Sequence, residues 1–166
     1  MRIAMKINVC IFLVLSIFAV SCKEKSSQNN QETMTSTSPD FAIDHYAINV
    51  KNLEKSVAFY QNVFDLKEIT NGTGQSHIRW FRLGTSQELH IIQVESLDKK
   101  VPKGVHLALA ARDFDRFREH ITDQNIPYSD WPGAMSEISV RPDNIRQLYF
   151  QDPDEYWIEV NDGKQF

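Results

Sequence analysis

From His45 onward the chain settles into short alternating runs. His45-Tyr46-Ala47-Ile48-Asn49-Val50 alternates polar or small residues with large apolar ones, the rhythm of a strand with one buried face. Asn52 then stands where a helix cap belongs, and Leu53, Val57, Tyr60 and Phe64 follow at helical spacings of four, three and four. A second copy of this pattern opens at His106, where His106-Leu107-Ala108-Leu109-Ala110-Ala111 alternates in the same way. Asp113 is the matching cap, and Phe114, Phe117 and Ile121 continue at helical spacing. In both copies the cap lies seven residues after the histidine and the first apolar helical residue eight after.

The later parts of the two copies correspond as well. Strand-like runs at Ile78 to Leu83 and Leu89 to Val94 are separated by the turn Gly84-Thr85-Ser86. Runs at Ile145 to Gln151 and Tyr156 to Val160 are separated by Asp152-Pro153-Asp154. Setting Phe81 against Phe150 places His90 and Glu159 at one offset, nine residues on. Each copy therefore reads as strand, helix and two or three strands, over about 41–97 and 104–162. Neither closes a core alone. Side by side they predict an α+β domain, with one curved mixed sheet and helices on its outer face.

Composition changes the picture at the amino-terminal end. Arg2 and Lys6 precede an apolar run from Val9 to Val20, too short to span a bilayer and suited to the apolar region of a signal peptide. Ala19-Val20-Ser21-Cys22 resembles a lipoprotein signal-peptidase box, which makes residues 1–22 a lipoprotein-type signal with Cys22 lipidated. The expectation is an exported protein, anchored by lipid to the cell envelope. Residues 23–40 are rich in Ser, Gln, Asn and Thr and read as a polar tether, leaving 41–166 as the working domain. The only other cysteine is Cys10, inside the signal, so the domain holds no disulfide or catalytic thiol. Beyond the signal, 16 basic residues face 22 acidic ones, and no basic run is interleaved with aromatics; a nucleic-acid partner is not expected.

The segments Ile43-Asp44-His45 through Phe59-Tyr60, Val105-His106-Leu107, and Tyr149-Phe150-Gln151-Asp152-Pro153-Asp154 through Glu159 together resemble the vicinal oxygen chelate superfamily. That superfamily comprises glyoxalase I, epimerases, fosfomycin-resistance enzymes, extradiol dioxygenases and bleomycin-resistance proteins. The resemblance implies paired βαβββ modules, with metal ligands drawn from the first and last strand of each. Carried over by position, these are His45, His90, His106 and Glu159, with Glu88 as the alternative to His90. One departure concerns the turn before the last strand, where Glu155 stands in place of the family's usual Gly.

Alternation puts each histidine on a face with small neighbours, Ala47 beside His45 and Ala108 beside His106, which leaves room for an ion and a ligand. Three imidazoles and one carboxylate suit a single divalent Zn, Ni, Fe or Mn ion. His77 and His120 fall outside the ligand positions. The resemblance implies a metal-dependent lyase or isomerase of glyoxalase I type acting on a small α-oxygenated compound, with Glu159 as ligand and base. The alternatives are an Fe(II) extradiol-type dioxygenase and a non-catalytic drug- or metabolite-binding protein. Arg79, Arg146 and Trp157 are candidate substrate contacts, and a C2 homodimer is the expected assembly.

Overall fold

The computed structural model describes residues 40–98 and 100–163. The expected signal peptide, with Cys22, and nearly all of the expected tether lie outside the described residues. The first module contains β1 (His45–Val50), α1 (Leu53–Phe64), β2 (Glu68–Ile69), β3 (Ile78–Leu83) and β4 (Gln87–Gln93). The second contains β5 (His106–Ala110), α2 (Phe114–Asp123), β6 (Ser139–Val140), β7 (Arg146–Gln151) and β8 (Trp157–Asn161).

Both helices begin at the caps foreseen from sequence. The Asn52 side chain accepts from Lys55 N at 3.0 Å, and Asp113 accepts from Arg116 N at 3.0 Å. Each cap satisfies one of the amide groups that a helix start leaves without an internal partner. Asp65 ends α1 in the left-handed conformation, φ 52°, with its amide returned to Gln61 O.

The strands pair within modules, in the orders β1-β4-β3-β2 and β5-β8-β7-β6. The α+β class and the two βαβββ modules stand. The backbone hydrogen bonds, however, divide the expected single sheet into two four-stranded sheets, each with one parallel pair and two antiparallel ones. The reason lies at the edges: β1 and β5 each end their sheet, and within one chain they do not pair with each other.

A single apolar core joins the modules. Ile48 and Val50 of β1, Leu89 and Ile91 of β4, and Phe81 of β3 are fully buried, as are Leu148 and Phe150 of β7 and Ile158 and Val160 of β8. From α1, Leu53, Val57, Tyr60 and Val63 enter this core, and from α2, Phe114 and Ile121. Phe64 and Phe117 stack at 5.6 Å, and Phe59, Phe64 and Phe117 all lie within 6.4 Å of the Phe150 ring. Tyr60 also donates to Asp152 at 2.9 Å, tying α1 to the turn between β7 and β8. Because inward positions alternate with outward ones, this burial turns His45, His90, His106 and Glu159 away from the core, onto the other faces of the two sheets.

Glu155 adopts φ 66° in that turn. The conformation that suits glycine is kept, on a residue that carries a Cβ.

Candidate metal centre

In the first module β1 runs parallel to β4, with His45 opposite Glu88 and Ala47 opposite His90. Trp80 of β3 lies opposite His90 on the other side. The three rings form a stack: Trp80 on His90 at 4.1 Å and 6°, and His90 on His45 at 4.3 Å and 14°. His90 Nε2 is 3.0 Å from Glu88 Oε2, and Arg82 lies 3.5 Å from the other Glu88 oxygen. His45 Nδ1 meets Asp44 Oδ2 at 2.6 Å, and the ring is 43% exposed. Trp80 Nε1 is buried with no acceptor among the described residues.

The second module repeats the register. β5 runs parallel to β8, with His106 opposite Trp157 and Ala108 opposite Glu159, and Tyr149 of β7 lies opposite Glu159. In both modules, then, the second ligand-type residue sits across from the position two beyond the histidine. Here the pair is deeper and fully wired. Glu159 is 5% exposed. Its Oε2 accepts from the Tyr149 hydroxyl at 2.6 Å and its Oε1 from Asn161 Nδ2 at 2.7 Å. Burial, and then the Glu159 carboxylate, push the Tyr149 hydroxyl well above the ordinary tyrosine range, so it stays a donor.

His106 Nδ1 lies 2.8 Å from Lys103 O. A carbonyl only accepts, so the hydrogen is on Nδ1, and Nε2 faces Glu159 Oε2 at 3.2 Å. A lone pair and a carboxylate oxygen at that distance repel unless a cation or proton lies between them. With metal–ligand bonds of about 2.0–2.2 Å, adjacent N and O ligands stand about 3 Å apart. The donor chemistry of His106 and Glu159 therefore fits one edge of a divalent metal site. His45 and His90 supply suitable atoms too, but stacked parallel rings do not aim their in-plane lone pairs at one point, so binding there requires the rings to turn.

The four sequence candidates thus come together as two pairs. Among the described residues no group of three His, Cys, Asp or Glu side chains is placed to hold a metal. Glu88 adjoins His90, as its place on the same face implied. Arg79 is held by Glu68 and Glu54, and Arg146 by Asp162 and Asp115, so each is already matched by two carboxylates of its own module. Trp157 faces Lys103, whose ammonium stands 5.0 Å from its ring. His77 lines a separate small pocket with Gln93 and Glu95, and His120 meets Asn62 O at 3.0 Å. An open groove of about 1500 Å³ passes His45, Ala108 and Asn161 between the β1 and β5 edges.

Sequence reasoning gave no site role to Tyr149 or Lys103, placed Asn161 only on the face of Glu159, and offered Trp80 only as a pocket-lining aromatic. A signal for two of these was present. Trp80 precedes His90 by ten residues and Tyr149 precedes Glu159 by ten, so the repeat that paired the ligands also pairs their neighbours. Nothing of the kind marks Lys103, which lies before β5 in the segment between modules.

A family model described as the glyoxalase/bleomycin resistance protein/dioxygenase superfamily matches residues 42–160. The uncharacterized protein YwbC of Bacillus subtilis is 29% identical over 123 residues, spanning 70% of this chain and 94% of that protein. The metallothiol transferase FosB of Lysinibacillus sphaericus is 24% identical over 134 residues, 74% of this chain and 82% of that one. Lactoylglutathione lyase from Agrobacterium tumefaciens superposes with a TM-score of 0.57 at 23% identity, covering 78% of this chain and 98% of its own. That likeness is one of fold.

Proposed function

Because the chain belongs to the glyoxalase/bleomycin resistance protein/dioxygenase superfamily, we propose that it is a metal-dependent lyase or isomerase for a small α-oxygenated substrate. The active site is completed by a second copy of the chain: His45 and His90 from one meet His106 and Glu159 from the other. The observation that carries this reading is the matched register of the two pairs. Each pair offers half of a four-ligand set, and the His106–Glu159 contact at 3.2 Å has the spacing of adjacent ligands. Exposed apolar residues stand just ahead of both histidine strands, Phe41 and Ile43 before β1 and Val105 before β5, where a second copy would cover them. The name of the FosB relative, a metallothiol transferase, is in keeping with metal dependence.

The ion, when bound, supplies a Lewis acid for oxygens on adjacent substrate carbons. The chain's own groups divide the remaining work. Tyr149 and Asn161 hold both oxygens of Glu159, which suits it to be a fixed ligand more than a free base. Glu88 is more open, lies beside His90, and is the carboxylate left to move a proton next to the substrate carbonyl. Trp80 and Trp131 flank the two pairs, against His90 and His106.

Elemental analysis and sedimentation of protein purified without chelators test the reading. A dimer with one divalent ion per chain is expected, with E159Q losing the ion and E88Q retaining it but losing turnover. A metal-free monomer would overturn the proposal, and a metal-free protein that binds a drug or metabolite would make it a sequestering protein. Oxygen uptake with catechols would instead assign ring cleavage.

The same proposal places the protein at the cell envelope through a lipid on Cys22. Metabolic labelling with a fatty-acid analogue, lost in C22A, is the expected result.

A further inference from the structure

Lys103 belongs to neither pair, yet its ammonium is engaged on every side. It donates to Ser129 Oγ at 3.0 Å, to Trp131 O at 3.1 Å and to Asp130 O. Three aromatic rings surround it, Tyr149 at 4.7 Å, Trp157 at 5.0 Å and Trp131 at 5.9 Å. An ammonium has three hydrogens to donate, and all three are used inside the protein. Lys103 is therefore neither a free anchor for a substrate anion nor a nucleophile.

What it does instead follows from where its two ends reach. Its carbonyl receives the His106 Nδ1 hydrogen at 2.8 Å, which leaves Nε2 directed at Glu159. Its ammonium lies against the ring of Tyr149, whose hydroxyl donates to Glu159 Oε2 at 2.6 Å. The same ammonium gathers the carbonyls of 130 and 131, and Ser129 exchanges backbone hydrogen bonds with Tyr149. One residue thus reaches both ligands, His106 through its main chain and Glu159 through the Tyr149 ring. The ammonium also keeps that residue where its carbonyl meets His106, because the chain there makes a tight turn, with Val105 N returned to Pro102 O at 2.8 Å.

We propose that Lys103 is the positioning residue of the second half-site: its caged ammonium fixes the 103–106 turn and the Tyr149 ring, and so presents His106 Nε2 and Glu159 together. The ligand role of this pair rests on the function proposed above. The role of Lys103 in setting the histidine tautomer does not. Groups around a metal's direct ligands, when removed, typically weaken metal binding about 10–100-fold.

The test compares the full chain with K103M and K103R. In metal-free protein, nitrogen NMR of His106 at alkaline pH should show the Nδ1–H form in wild type and a shift toward Nε2–H in K103M. K103R retains a cation and donors for the same oxygens, and should keep the wild-type form. Zn²⁺ titration should weaken about 10–100-fold in K103M and less in K103R. An unchanged tautomer in folded K103M overturns the proposal, as does a K103R variant that is folded yet shifted as far as K103M. If K103M does not fold, K103R alone decides: the wild-type tautomer supports the proposal and a shifted one overturns it. If wild-type protein binds no Zn²⁺, the metal reading fails, while the tautomer comparison still judges Lys103.

Discussion

Glu159 shows how one buried acid is made usable. A carboxylate in so dry a place needs partners for both oxygens, and Tyr149 and Asn161 provide them. Y149F removes a donor and leaves an acceptor short inside the protein. It should lower stability by about 1–3 kcal/mol in a denaturant titration, and weaken Zn²⁺ binding while the fold persists. Arg79 illustrates a side chain with a different use. Its hydrogen bond to Glu68 holds that carboxyl below the usual range, so the pair's stability is present above the ordinary glutamate value and lost as pH falls through the lowered one. For so exposed a pair the effect is about 0.2–1 kcal/mol. R79M should flatten that acid limb of the stability profile without touching metal affinity; an unchanged profile would refute the assignment. Glu155 sits in left-handed backbone at φ 66°, and E155G should raise the midpoint of thermal unfolding, because relief of that strain outweighs the added freedom of the unfolded chain.

The elements were the most readable part of the chain, because two physical periods mark them. Alternation located β1 and β5 from their first residues, and cap plus spacing located the starts of α1 and α2. The strands β2 and β6 were not foreseen as separate elements. With two residues each they are too short to show a period, and they exist because β3 and β7 offer open edges to pair with. Phe150 shows how elements become a core: rings from α1 and α2 both meet it. F150A should therefore cost about 3–5 kcal/mol, read as a fall in denaturation midpoint, and should loosen both helices together in hydrogen exchange. Loss of protection in α2 alone would mean that the modules do not share this core.

At the level of the molecule, the two pairs of ligand-type residues stay separate: among the described residues no three such side chains converge to hold a metal. If a second copy completes each site, complementary damage can be repaired by mixing. H45A and H106A chains should each bind Zn²⁺ poorly as homodimers. After co-refolding, their heterodimer carries one intact site, with His106 and Glu159 from the first chain and His45 and His90 from the second. Stoichiometry should then recover to about half of wild type across the heterodimers. No recovery in a demonstrated heterodimer would place the site within single chains or remove it.

Periodicity and an internal duplication, both local properties, were enough to read from sequence the α+β class, the paired modules, the caps and four residues of ligand type at equivalent offsets. Such features survive in one dimension because a strand's faces and a helix's stripe are set by fixed repeats along the chain. Which of those residues meet was decided only in three dimensions. Strand pairing joined His45 to His90 and His106 to Glu159, split the sheet in two, and brought Lys103 from the linker into contact with both members of the second pair. Contacts between residues far apart in sequence follow no period, and hydrogen bonds such as that from Tyr60 to Asp152 depend on packing that composition and spacing do not encode.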